Sequence, residues 1–299
     1  MIKKLLALLL LAILLWGAYV AYAFVSSPPK FTAQWGNVSN ATTEIVVRGE
    51  WEKAVILPVS IDEVAMRFMN ITVARTESVK ISRKSALVVL GIDNPDIVKA
   101  LFKYLDNGQS GVAEISVRGS LFKVIPLKFN VKREVSLNIL EKLNFTANST
   151  PILGGLAYTP ALLGTRASWL GEEKNRGILL MEMRFYNPNS FPIPLSNISF
   201  NIYANDVEIG TGYLEKAIVI PANGYATAKT VVEIIGDNIP EAWAIHVRNG
   251  EVSTVKVQIT LTASFMGKTI SIPVKTEQVR IKTNIIEQIN EALSQISGG

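Results

Sequence analysis

His246 is the only histidine in this sequence, and cysteine is absent. Thiol nucleophiles, disulfides, iron–sulfur clusters and metal sites built on two imidazoles are therefore outside its repertoire. His246 sits beside Trp243 and Val247 on a stretch with helical spacing. A lone histidine there is expected to be a boundary residue and not a general base. No Gly-x-Ser-x-Gly elbow and no Gly-x-x-x-x-Gly-Lys-Ser/Thr loop occurs. The adjacent carboxylates Asp62-Glu63 and Glu172-Glu173 would face opposite ways in a strand, so neither pair suits acid–base work. The expectation is a protein with no catalytic residue, no metal ligand and no cofactor site, that is, not an enzyme.

What the chain does offer is asparagine. Asn37, Asn40, Asn70, Asn144, Asn148 and Asn197 each open an Asn-x-Ser/Thr triplet without proline, the acceptor pattern for N-glycosylation of exported chains. Export is also the message of the N-terminus. Leu5 to Val25 runs without a charge behind Lys3 and Lys4, enough helix to cross the roughly 30 Å hydrocarbon core of a bilayer. The lysines before it place the N-terminus in the cytoplasm and the remainder outside. Ala21-Tyr22-Ala23 keeps a cleaved signal peptide as the alternative, in which case the protein is secreted. The formal net charge of +5 comes from scattered Lys and Arg, which gives no reason to expect nucleic acid as a partner. The membrane is the expected partner, with a lipid or a protein beside it.

These residues are carried by two similar units. Each opens on a short strand ending in Trp, Phe31–Trp35 and Thr165–Trp169, followed by a polar turn, an apolar strand and a proline-marked corner at Pro58 and Pro194. Each then has a helix signal, Asp93-Asn94-Pro95-Asp96 and Asp237-Asn238-Ile239-Pro240-Glu241, with capping side chains, an early proline and a first-turn carboxylate. Both helices should stop at Asn-Gly, Asn107-Gly108 and Asn249-Gly250, which tolerate the left-handed terminal turn. Between these marks the period is two. Val255, Val257, Ile259 and Leu261 alternate with polar residues, and Leu127, Phe129 and Val131 alternate with Lys128, Asn130 and Lys132. One packed and one wet face is the mark of antiparallel sheets.

The expected class is all-β: two tandem immunoglobulin- or fibronectin-III-like sandwiches, each with one short helix. The anchor or signal covers residues 1–29, the first sandwich 30–145, a linker 146–158 and the second sandwich 159–283. Residues 284–299 form an amphipathic helix with its stripe at Ile285, Ile286, Ile289, Leu293 and Ile296. No Lys or Arg follows Lys282, so this helix should pack on its own domain or on a partner and not on a membrane surface. Trp35 and Trp169 are expected to anchor their own cores. Leu87-Val88-Val89-Leu90 lacks alternation and reads as a strand buried on both faces, or as the wall of an apolar groove.

The run from Met183 to Gly212 closely resembles the late-embryogenesis-abundant type 2 proteins, also called the water-stress and hypersensitive-response (WHy) domain. Its marks are Asn187-Pro188-Asn189 at a strand end, a corner with Pro192 and Pro194, and a tight turn from Asn205 to Gly210 and Gly212. In the first unit Arg48-Gly49-Glu50 stands where Asn-Pro-Asn is expected. The resemblance implies a seven-stranded sandwich with one short helix, no catalytic residues, and a role in desiccation or other stress. Turn chemistry alone accounts for the motif. The sequence thus points to a membrane-anchored, extracytoplasmic protein that protects or stabilises envelope proteins under stress. Binding or transfer of an apolar ligand such as lipid, and a spacer or scaffold role in an envelope assembly, are the alternatives.

Overall fold

The computed structural model describes residues 2–265, 268–276 and 278–297, with the side chains of 2–10, 264, 265, 268, 275 and 295–297 outside that description. After α1 (Ile2–Ser26) come β1 (Lys30–Val38), β2 (Thr42–Glu50), β3 (Val59–Phe68), β4 (Ile71–Ile81) and β5 (Ser85–Asp93). Next are α2 (Asn94–Asp106), β6 (Ser110–Leu121) and β7 (Ile125–Ser136). A small hairpin, β8 (Pro151–Ile152) and β9 (Ala157–Tyr158), leads into β10 (Ala161–Glu173), β11 (Arg176–Tyr186), β12 (Ile193–Ala204) and β13 (Val207–Leu214). Then follow β14 (Ile218–Ile220), β15 (Tyr225–Ile235), α3 (Ile239–Arg248), β16 (Val252–Phe265), β17 (Lys268–Lys275), β18 (Val279–Lys282) and α4 (Ile285–Ser297).

Strands take up more than half of the chain, in keeping with an all-β class. The first sheet runs β1-β2-β5-β4-β3-β6-β7 and the second β10-β11-β15-β13-β12-β16-β17, with β14 and β18 appended. Apart from those additions the strand order is the same, and the helix sits at the same crossover in each. Neither domain is a pair of separate facing sheets. β4 pairs with β3 through residues 71–75 and with β5 through residues 74–81, so one strand passes from one layer to the other. β13 does the same between β12 and β15. Each domain is therefore one hydrogen-bonded sheet folded over, its corner made by a strand that belongs to both layers.

The alternating pattern decides what the folded sheet encloses. In the second domain Leu179, Met181, Met183 and Phe185 of β11 meet Ile198, Phe200 and Ile202 of β12 and Val257, Ile259 and Leu261 of β16 in one continuous buried cluster. That interior is filled with side chains and is not an open groove. Gly212 permits the closest approach, since a Cβ there would lie 2.1 Å from the Phe200 ring. The first domain has a leaner core of Ala33, Ile45, Ala74, Leu90 and Ile92. Val88 packs on it, while Leu87 and Val89 are half-buried on the other face.

The helices follow their signals in part. Asp93 caps α2 by accepting from the Asp96 backbone N–H at 3.2 Å. Asn238 does not cap α3; its amide donates to the Glu208 carbonyl at 2.7 Å instead. Both helices stop at Asn-Gly with Gly108 and Gly250 at φ +66° and +69°. The C-terminal helix α4 lays its apolar stripe on the first domain and not on its own. Its Ile286, Ile289 and Leu293 lie against the first domain's core. Asn290 accepts from the Ala33 N–H (2.6 Å) and donates to the Ala33 carbonyl (3.0 Å), so its amide pairs with the edge strand β1 as a neighbouring strand would. The Ile296 side chain lies outside the described residues.

Phe145 and Ala147 are buried in the second core, and Ala147 exchanges two backbone hydrogen bonds with Leu162. The segment read as a linker is thus tied down on the second domain. Among the described residues no helix is long and apolar enough to cross a membrane, so the expected span has no support from them; the side chains of Leu5–Leu10 lie outside that set. The C-terminal half of α1 docks on the first domain. Trp16 donates to the Ile56 carbonyl at 3.0 Å, Tyr19 to that of Ala54 at 3.1 Å, and Ala23 is buried against Trp51 and Val55.

Candidate functional site

Asn187 and Asn189, the motif residues richest in hydrogen-bonding capacity, are both buried. Pro188 between them cannot donate to a ladder and holds Asn187 extended at the end of β11. The Asn187 amide donates to the carbonyls of Phe191 (2.8 Å), Pro221 (3.1 Å) and Ile220 (3.4 Å). Its Oδ1 accepts from the backbone N–H and the side-chain amide of Asn189 (2.9 and 2.7 Å). Asn189 then pairs with Tyr158, accepting from its N–H (2.8 Å) and donating to its carbonyl (2.9 Å). Two side chains thereby fasten the proline corner, the turn at Pro221 and the β8–β9 hairpin. Pro192 is exposed on the corner, and Pro194 faces Val219 across β12–β14. Gly210 and Gly212 sit where β13 crosses between layers; a Cβ at Gly212 would collide with the Phe200 ring, and one at Gly210 would press on the Glu233 carbonyl at 3.0 Å. No amide of the motif is left over for a ligand.

A second cluster, at the junction of the domains, has no counterpart in the sequence reading. Glu251 follows Gly250 at φ +63°. This conformation turns its carboxylate out of the second domain to accept from Ile285 N–H (2.5 Å), Ile286 N–H (3.0 Å), Thr283 Oγ1 (2.8 Å) and Trp35 Nε1 (3.1 Å). The first two are open N–H groups at the start of α4, where a carboxylate is also favoured by the helix dipole. Burial alone would push the Glu251 carboxyl up, but these hydrogen bonds outweigh it and hold the group below its ordinary value.

His246 is buried, not a boundary residue. Its Nδ1 lies 2.8 Å from Ser253 Oγ and its Nε2 2.8 Å from Thr283 Oγ1. Thr283 spends its proton on Glu251, so Nε2 donates to Thr283 and Nδ1 accepts from Ser253; the network fixes the tautomer. Burial lowers the imidazole's pKa, opposed in part by the Glu251 charge. A chain Ser–His–Thr–Glu invites comparison with a nucleophile relay. Here, however, Ser253, His246 and Glu251 are all buried and linked in one chain through Thr283, and the cluster's work is to join α3, β16, β18 and α4.

The junction is reciprocal. Trp35 of the first domain reaches the turn after α3, and Trp169 of the second donates to Asp106 at the end of α2 at 2.5 Å. Trp35 meets Trp243 of α3 edge-on at 6.1 Å, and Trp169 meets Phe102 of α2 at 5.6 Å. The two tryptophans therefore belong to the interface and are not anchors of their own cores alone. A further correspondence lies in the turns. Gln109, after Gly108 and at φ +62°, accepts from the Leu140 N–H at 2.9 Å, as Glu251 does from the start of α4. The signal that could have exposed both is the polar residue following each Asn-Gly.

The remaining candidates do not converge. All six triplet asparagines are exposed. Asp62 accepts from Ser60, Glu63 pairs with Arg118, Glu172 accepts from the Asn175 N–H, and Glu173 pairs with Lys174. Among the described residues no group of three or more His, Cys, Asp or Glu could hold a metal ion.

The folded-over sheet, its crossover helix and its asparagine-locked proline corner define the class of the second domain. Residues 182–278 match the family model described as late embryogenesis abundant protein (LEA_2). No curated protein matches the chain. Among solved structures, a protein from Archaeoglobus fulgidus is similar at 21% identity and a TM-score of 0.36, over 41% of this chain and 98% of its own. The solution structure of AT1g01470 from Arabidopsis thaliana is similar at 20% identity and a TM-score of 0.30, over 42% of this chain and 80% of its own.

Proposed function

We propose that this is a non-enzymatic, membrane-tethered and extracytoplasmic protein that stabilises other proteins of the envelope under dehydration or comparable stress. The observation that carries the reading is the LEA_2 match over residues 182–278, in a domain whose signature asparagines are consumed by its own corner. We assign both domains to the WHy form of that family, on the shared strand order and crossover helix. The tether rests on the uncharged run Leu5–Val25 behind Lys3 and Lys4. The outward location is supported by six exposed Asn-x-Ser/Thr asparagines, which also make the chain a candidate glycoprotein.

Two measurements test this. A chain without native cysteine can be given one at Asn70 and treated in intact cells with a membrane-impermeant maleimide; an extracytoplasmic domain is labelled, a cytoplasmic one is not. Full-length protein in vesicles should then preserve the activity of a client enzyme through drying or heating better than an inert protein at equal mass. Equal loss in both samples removes the stress role.

A further inference from the structure

The β6–β7 hairpin of the first domain is built unlike its neighbours. Across it, Ile115, Val117 and Leu121 pair with Val131, Phe129 and Ile125, so one face of the ribbon is apolar. Arg118, Ser116 and Glu114 pair with Lys128, Asn130 and Lys132 on the other face. In the second domain the corresponding β16–β17 ribbon buries Ile259, Leu261, Ile272 and Val274 in the core. In the first, Leu127, Phe129 and Val131 are 44%, 59% and 45% exposed.

The tip is stranger still. Phe122 and Lys123 occupy its two central positions at φ +54° and +59°. Such a turn favours Asn, Asp or Gly. The tight turns at Met69-Asn70, Lys174-Asn175 and Asn205-Asp206 each include one of these. At the tip a bulky aromatic accepts a conformation that disfavours it, and still lies 47% exposed, with Val124 79% and Ile125 53% exposed beside it. Packing within the hairpin does not explain that choice.

Its neighbour does. Phe122 meets Trp16 of α1 edge-on at 5.7 Å. Trp16 also holds Ile56, itself 63% exposed, by its carbonyl. Val59 pairs with Leu121 at this end of the sheet, while Phe68 pairs with Ala113 at the other, so α1, residues 51–57 and the hairpin tip all gather at one end. Further along α1, Lys53 lies over the Tyr22 ring at 3.8 Å, a cation–aromatic pair of the kind that suits headgroup depth.

We propose that the β6–β7 tip is a second membrane-contacting element, with Phe122, Val124 and Ile125 entering the acyl region of the outer leaflet beside α1. The proposal rests on the tether reading above. Lys128, three residues and hence roughly 10 Å beyond Ile125 along β7, lies at phosphate depth. Lys123 extends its stem along the apolar surface to reach the same layer. The ligand is the lipid surface itself. One helix alone would leave the domain free to swivel, whereas a helix plus a hairpin fixes its orientation.

The test uses the full chain, with single cysteines carrying an environment-sensitive fluorophore at Val124, at Leu14 on α1 and at Asn70 on the far end of the sheet. Each is reconstituted in phosphatidylcholine–phosphatidylglycerol vesicles with and without brominated acyl chains. The expected result is a blue shift and bromine quenching at 124 and at 14, with neither at 70. Quenching at 14 with a water-like signal at 124 overturns the hairpin proposal and leaves the tether standing. A water-like signal at both overturns the tether and the hairpin together. All three positions are exposed, so the labels leave packing alone.

Discussion

Asn187 uses one amide nitrogen on three carbonyls and one oxygen on two donors, and the residue itself is fully buried. Asn187→Ala should therefore destabilise the second domain by about 3 kcal/mol, because several buried partners lose their bonds at once. Chemical denaturation measures it. Asn187→Asp should be no better, since a carboxylate cannot donate to the carbonyls it would face. Trp243 offers the opposite case. Its buried Nε1 has no hydrogen-bond partner. Trp243→Phe should cost no more than about 1 kcal/mol in the same assay, the lost ring area being offset by removal of an unpaired donor. The role of Asn187 was legible in the sequence because Asn-Pro-Asn forces a turn and asparagine satisfies one. The role of Glu251 was not: a polar residue after Asn249-Gly250 marks the position, but its partners come from residues 35 and 283–286, and nothing local names them.

At the scale of elements, alternation identified most strands and Asn-Gly bounded both crossover helices, while a capping side chain opens α2 alone. What alternation could not give was the destination of an amphipathic helix. The stripe of α4 says that it must be covered, not by what, and its chain neighbours are in the other domain. Removing residues 285–299 should destabilise the first domain by about 3 kcal/mol, from the apolar area of Ile286, Ile289 and Leu293. Hydrogen exchange should quicken in β1 and β2 while β11 and β12 keep their protection. Equal loss in both domains would contradict the assignment of α4. The same blindness hid the strand shared between layers, because pairing on both edges leaves no mark in a period-two pattern.

For the whole molecule the decisive feature is the reciprocal junction. Each domain offers a tryptophan to the turn or helix end of the other, so the pair is expected to move as one body. Trp169→Ala should weaken the junction by about 2 kcal/mol, less than for a fully buried ring. Trp35→Ala should act alike, and the double variant should lose less than the sum, since either change opens the same interface. Acid should act there too. His246 and Glu251 both have pKa values below their ordinary 6.5 and 4.5. The unfolded chain therefore binds protons first. Stability is complete above about pH 6.5, declines as His246 is forced to charge, and declines again below about pH 4.5 as Glu251 is neutralised. A denaturation midpoint that is flat from neutral to acid pH would contradict this.

Because α4 covers the rim of β1, the first sheet is closed by a segment that follows the whole second domain in the chain. Synthesis runs from the N-terminus, so β1 leaves the ribosome with its outer rim bare, and the rim stays bare until α4 has followed it. During that interval the sheet is open to pairing with a foreign strand, and only the arrival of α4 covers it. A chain cut short anywhere in the second domain therefore leaves the rim of the first uncovered.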